Sequence, residues 1–164
     1  MKRVVIVRHA KSVPYGYEDD FNRDLTDRGK NDAKLVSNEL VKKRINPDVF
    51  ISSPAKRALK TARIFADNLG FERSQIREIK DIYNGLTTSE FLELIQSLPD
   101  DAGTAFFFGH NPGFHFFVNI LLKISVNEMP TCATVGIDFS VIVWNEIEAR
   151  TGDLAFRITP KMLK

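Results

Sequence analysis

Short apolar runs alternate with helical stripes along this chain. Residues 3–7 (RVVIV) form a β-branched run, which predicts a strand buried on both faces. Residues 11–24 are polar, carry Pro14 and Gly16 and include the acidic run Glu18, Asp19, Asp20, so they read as a loop. Thr26 to about Arg44 reads as a helix, capped by Thr26 and with Ala33, Val36 and Leu40 on one face. Residues 48–52 (DVFIS) predict a second strand. Ser53-Pro54 then reads as a cap and first helical residue, with the helix stopping at Gly70.

A weaker strand is expected over residues 75–81. Thr87 and Glu90 form a capping box before the stripe Phe91, Leu94, Ile95, Leu98. Residues 104–108 (TAFFF) predict a buried strand, and Asn111-Pro112 a cap for a helix reaching about Lys123. Two closing strands, near 134–144 and 154–159, join across Thr151-Gly152-Asp153 and read as antiparallel. Such alternation predicts one α/β domain over residues 1–164: a three-layer α/β/α sandwich, mostly parallel, with an antiparallel C-terminal addition.

Composition narrows the classes. A chain of 164 residues, 43% hydrophobic, is large enough for one sizeable core. With 23 Lys+Arg against 21 Asp+Glu it lacks the basic excess of a nucleic-acid binder. The single cysteine, Cys132, excludes an intrachain disulfide and reads as a small buried hydrophobe. The apolar run behind the first residues is too short for a signal peptide, and no segment approaches a membrane span, so a cytoplasmic protein is expected. Any histidine chemistry must use His9, His110 or His115.

In open α/β sheets ligands bind beyond the carboxyl ends of the strands. There the first strand runs into Arg8-His9, the second into Ser52-Ser53-Pro54-Ala55-Lys56-Arg57, and the fourth into Gly109-His110. If these strands are parallel, two arginines and two histidines meet at one edge. Two guanidinium forks match phosphoryl oxygens bidentately, with Lys11 and Lys56 near enough to add positive field. A neutral imidazole between arginines is available as a nucleophile, and a second histidine can hold charge or donate a hydrogen bond. No metal or cofactor is needed for that chemistry. Side chains alternate along a strand, so Arg8 and His9 can share one phosphate only if the strand has ended by then.

Arg8-His9-Ala10 resembles the Arg-His-Gly signature of the histidine phosphatase (phosphoglycerate mutase-like) superfamily, with alanine in place of glycine. Ser52-Ser53-Pro54 with Arg57-Ala58 and Thr61-Ala62 resembles its second-arginine motif, and Gly109-His110 its second-histidine motif. The Arg8-His9-Ala10-Lys11-Ser12 run and residues 23–29 (RDLTDRG) are most similar to the bacterial phosphohistidine phosphatase branch of SixA type. The resemblance implies His9 as the phosphorylated nucleophile. It implies Arg8, Arg57 and His110 as the phosphate pocket, with Arg23 as a further contact. It also implies a phosphorylated protein, histidine phosphotransfer proteins among them, or a small phosphorylated molecule as substrate.

The general acid stays open between Asp81, Glu78, Asp19, Asp20 and none. An alkoxide leaving group needs such an acid, whereas imidazole leaves with weaker help, so phosphohistidine in proteins is the expected substrate. The alternatives are a broad-specificity small-molecule phosphomonoesterase or mutase, or a non-catalytic phosphoanion-binding module. His115, among Phe114, Phe116 and Phe117, reads as a packed helix residue, and the acidic run 18–20 as a solvated loop rather than a metal site.

Overall fold

Six strands form one mixed sheet in the order β3-β2-β4-β1-β5-β6. The computed structural model describes residues 1–14, 16 and 19–164; Glu18 of the acidic run lies outside the described residues. The strands are β1 (Lys2–Arg8), β2 (Val49–Ser52), β3 (Arg77–Glu78), β4 (Thr104–Gly109), β5 (Thr134–Phe139) and β6 (Asp153–Ile158). The helices are α1 (Asp27–Lys42), α2 (Lys56–Leu69), α3 (Lys80–Asn84), α4 (Thr88–Gln96) and α5 (Gly113–Leu121). Strands β1 to β4 pair in parallel, β5 joins β1 antiparallel, and β6 joins β5 antiparallel. The three-layer sandwich with an antiparallel C-terminal pair is the architecture expected from the alternating pattern.

The apolar runs are buried on both faces because each face has its own helix layer. Val5 and Val7 of β1, with Phe50, Phe106 and Phe108, pack beneath α1 and α2. Val4 and Ile6, with Ile51 and Phe107, pack beneath α4 and α5. Each fully buried aliphatic or phenyl side chain stabilises the fold by roughly 1.5–3 kcal/mol. Phe50 stacks on Phe71 and Phe106 at centroid distances of 4.5 and 5.0 Å.

Several local expectations change. The weak strand over 75–81 shrinks to Arg77–Glu78 and gives way to α3, because residues 80–84 (KDIYN) bury only Ile82 and close a single short helix. The run 134–144 ends at Phe139, and Trp144 turns into a 3-10 segment where its indole N–H donates to the carbonyls of Pro99 and Ala102. Neither proline-based cap forms. Helix α2 starts at Lys56 behind Ala55, and α5 at Gly113 behind Pro112, both without a side-chain cap. The Thr26 cap, the Thr87/Glu90 capping box and the Gly70 stop are present.

Register sets the site. Arg8 of β1 lies opposite Gly109 of β4, and Ser52 of β2 opposite Phe108. Ser53 therefore stands level with Arg8 and Gly109, and His9 and His110 follow one residue beyond, at the ends of three adjacent strands.

Candidate active site

Strand β1 ends at Arg8, and this resolves the alternation problem: His9 is already outside the strand. Its backbone N–H donates to the Gly109 carbonyl (3.0 Å), and its own carbonyl accepts from Cys132 N–H (3.0 Å). Arg8 and His9 thus line the same cavity of about 580 Å³, together with Arg23, Arg57, His110 and the rim residues Lys11 and Thr131. All five residues expected at the site meet there. Among the described residues no Asp or Glu lines this cavity.

The tautomer of His9 is set by the backbone. Nδ1 lies 2.8 Å from the Ala10 carbonyl, which can only accept, so Nδ1 carries the proton and Nε2 keeps its lone pair. Alanine serves where the family signature has glycine, since Ala10 is fully buried and its N–H donates to Thr61 Oγ1 (3.0 Å). Burial pushes the His9 pKa down to about 4, helped by the charges of Arg57, Arg8 and Arg23. Arginine repulsion was expected from the sequence; desolvation is the larger cause.

His110 is also neutral. Burial, then His9 and Arg57, push its pKa to about 3, so it is not the charged partner that the sequence left open. Its Nε2 lies 2.8 Å from Ser53 Oγ, and the two imidazole centroids are 5.3 Å apart. The Ser53 hydroxyl already accepts from Ala55 N–H (3.1 Å). Among the described residues Nε2 is the acceptor left for its proton, which places the His110 proton on Nδ1. Ser53 is fully buried and so holds the ring rather than capping α2.

Arg57 sits in the first turn of α2 and is 5% exposed. Its Nη1 donates to the Asp20 carbonyl (2.7 Å) and its Nη2 to Asp20 Oδ2 (3.1 Å). Arg23 Nε reaches Asp20 Oδ1 (3.0 Å), and the Tyr83 hydroxyl donates to Oδ2 (2.8 Å). Burial works against the charged carboxylate, yet the hydrogen bonds from Tyr83 and Arg57 and the charges of Arg57 and Arg23 hold the Asp20 pKa at about 2. Asp20 is therefore ionised at neutral pH and is not a proton donor there. Asp81 and Glu78 are exposed and outside the cavity, and Asp19 caps a 3-10 turn through Asn22. Arg8 donates from Nη1 to the Met129 carbonyl (3.0 Å).

Three buried nitrogens of the cavity, Arg8 Nε, Arg57 Nε and His110 Nδ1, have no hydrogen-bond partner among the described residues. Sequence reasoning missed Tyr83, the Ser53–His110 bond and the binding of Asp20 to the arginines; Tyr83 stands in no motif. Lys56 turns away to Asp24 (3.6 Å). His115 packs on α5 with Nε2 against the Val126 carbonyl (3.0 Å), and Cys132 is a buried free thiol whose pKa burial pushes far up. Among the described residues no cluster of three or more metal-ligating side chains occurs, and no helix is long and apolar enough to cross a membrane.

A family model described as histidine phosphatase superfamily (branch 1) matches residues 4–115. A phosphoserine phosphatase 1 of Hydrogenobacter thermophilus is 34% identical over 105 residues, covering 62% of this chain and 49% of that protein. The chain thus spans about half the length of this curated relative, and 35% of a second phosphoserine phosphatase of that organism is matched. The structure of a protein histidine phosphatase SixA complexed with tungstate superposes with a TM-score of 0.79 at 19% identity, covering 99% of both chains. A mycobacterial glucosyl-3-phosphoglycerate phosphatase superposes with a TM-score of 0.67 at 15% identity over 94% of this chain and 98% of that one.

Proposed function

The chain belongs to the histidine phosphatase superfamily, branch 1, and on that premise we propose that it is a broad-specificity phosphatase carrying the phosphoryl group on Nε2 of His9. One observation supports this most: Arg8 Nε, Arg57 Nε and His110 Nδ1 are buried donors without partners around a single histidine lone pair. An unpaired buried donor costs about 1–3 kcal/mol, and a phosphoryl group brings the acceptor oxygens that such donors lack.

In the first step the Nε2 lone pair attacks phosphorus in line, and the bond to the leaving group breaks. Arg8, Arg23 and Arg57 neutralise the equatorial oxygens, and His110 Nδ1–H donates to one of them. In the second step water attacks phosphorus, the P–Nε2 bond breaks with its electron pair returning to His9, and the proton from water passes to solvent as phosphate leaves. The guanidinium groups supply the positive charge, so chelators leave the rate unchanged.

Leaving-group basicity orders the substrates. Among the described residues the cavity lining carries no carboxylic acid, and Asp20 is held ionised. Rates therefore fall from phosphohistidine and aryl phosphates to alkyl phosphates. Phosphohistidine in proteins was the expectation from sequence. The comparisons favour its alternative, a phosphomonoesterase, since two curated relatives are named phosphoserine phosphatases and others serine/threonine-protein phosphatases, and the SixA likeness at 19% identity bears on fold alone. Broad specificity accommodates both classes.

The test labels the protein from a phosphodonor and compares hydrolysis of phosphohistidine peptide, phosphoserine and sugar phosphates, with His9→Ala as blank. An acid-labile, base-stable phosphoprotein absent from His9→Ala is expected. Full turnover by His9→Ala would remove His9 from the mechanism, and equal rates on phosphohistidine and alkyl phosphates would remove the leaving-group argument.

A further inference from the structure

A groove of about 270 Å³ between α1 and α2 is lined by Lys30, Lys34, Lys60, Arg63, Ile64 and Arg73. Five cations meet there in a chain whose formal net charge is only +2. Lys60 pairs with Asp24 (2.8 Å) and Arg73 with Asp67. Among the described residues Lys30, Lys34 and Arg63 form no ion pair.

The groove begins one helical turn beyond the catalytic cavity. Thr26 and Arg57 line that cavity, and Lys30 and Lys60 stand one turn further along the same two helices. Both helices connect parallel strands, so both begin at the catalytic edge and run away from it side by side. Beyond Asp24, which pairs with Lys56 and Lys60, the cations Lys30, Lys34 and Arg63 extend positive charge down the α1–α2 face.

Resting on the phosphatase reading, we propose that this groove docks an acidic segment of a phosphorylated protein substrate while the phosphorylated side chain enters the cavity. The lining favours a peptide. It offers one aliphatic residue, Ile64, and no aromatic, so it has no platform for stacked bases. None of the exposed large hydrophobic residues lies in it, so it lacks the apolar anchor of a lipid-binding face. The eight helical residues from Thr26 to Lys34 span about 12 Å, the reach of about four extended residues. The acidic residues therefore sit about three to five positions from the phosphorylated one.

The experiment uses the full chain and two phosphohistidine peptides that differ only in Glu or Gln at those positions, with p-nitrophenyl phosphate as the small substrate. The Glu peptide is expected to show about tenfold higher kcat/KM, carried by KM, from three or so surface charge pairs. The preference vanishes in Lys30→Gln/Lys34→Gln/Arg63→Gln and at about 0.5 M salt, while p-nitrophenyl phosphate turnover stays within about twofold, which also reports an intact fold. The single variants Lys34→Gln and Arg63→Gln each lose part of the preference.

Equal rates on the two peptides, or a preference that survives in the triple variant, would overturn the groove and leave the phosphatase reading standing. So would capture of the chain on anionic vesicles or an oligonucleotide through the same three residues without peptide preference. No turnover of either peptide or of p-nitrophenyl phosphate would overturn both.

Discussion

The Ser53 hydroxyl lies 2.8 Å from Nε2 of His110, in a spot with no solvent exposure. That bond decides which face of the imidazole carries a proton. Ser53→Ala leaves both tautomers open and an extra unpaired nitrogen buried. Expected is a fall of about 10- to 100-fold in kcat with a stability loss of about 1–3 kcal/mol, read by steady-state kinetics and thermal melting. Ser53→Thr, which keeps the hydroxyl, restores part of the rate. An unchanged kcat in Ser53→Ala would separate the serine from catalysis.

Acidification acts on both histidines in one direction. Each has a folded pKa below its unfolded value of about 6.5, His9 at about 4 and His110 at about 3. Between those limits the unfolded chain binds more protons than the folded one, so stability falls as pH drops from about 6.5 toward 4. The slope is at most about 1.4 kcal/mol per pH unit for each histidine. Denaturant melts across this range check it, and His9→Ala flattens the slope. In the same range kcat/KM shows no break from His9 until it protonates near pH 4.

Asp20 places a negative charge against Arg57 and Arg23, the same groups a phosphoryl dianion needs. Asp20→Ala removes that repulsion and frees Arg57 Nη2, while Nη1 keeps its bond to the backbone carbonyl of residue 20. Inorganic phosphate is expected to inhibit Asp20→Ala about 3- to 30-fold more tightly, by the loss of one nearby like charge. Weaker inhibition would mean that holding the arginines in place outweighs the charge.

Gly29 approaches the backbone of Lys11 so closely that an added Cβ would overlap the Lys11 carbonyl oxygen. The start of α1 and the cavity rim share this contact, since Thr26 N–H also donates to the Lys11 carbonyl (2.9 Å). Gly29→Ala is expected to lower stability by about 1–3 kcal/mol and to raise KM through displacement of Arg23. Chemical denaturation and kinetics together report it.

Arg8, His9 and His110 were legible in the sequence because they stand at the ends of strand runs, and Arg57 because it opens the helix behind one; parallel strands deliver those ends to one edge. The antiparallel pair at the end was equally plain from its turn. The failures have a common physical cause. Ser53 and Asn111 look like helix caps locally, but tertiary partners claim their side chains: His110 takes the serine hydroxyl and the Met129 carbonyl takes the asparagine amide (2.9 Å). Asp20 looked like a candidate acid because its spacing says nothing about the arginines, from Arg23 three residues on to Arg57 much later, that fold onto it. Helix α3 is too short for periodicity to reveal, and with it Tyr83 was missed.

The backbone around His9 also sets an order of events in folding. His9 N–H bonds to Gly109, its carbonyl to Cys132, and Arg8 N–H to Ala133 (3.1 Å). His9 is thus held by partners a hundred or more positions later in the chain. Closing such a loop is entropically costly and is repaid only by the complete sheet. On the ribosome His9 is made well before these partners, and its imidazole stays solvated and ordinary until residues 109–133 arrive. Reactivity is conferred at the end of folding, so truncated or partly folded chains are chemically silent.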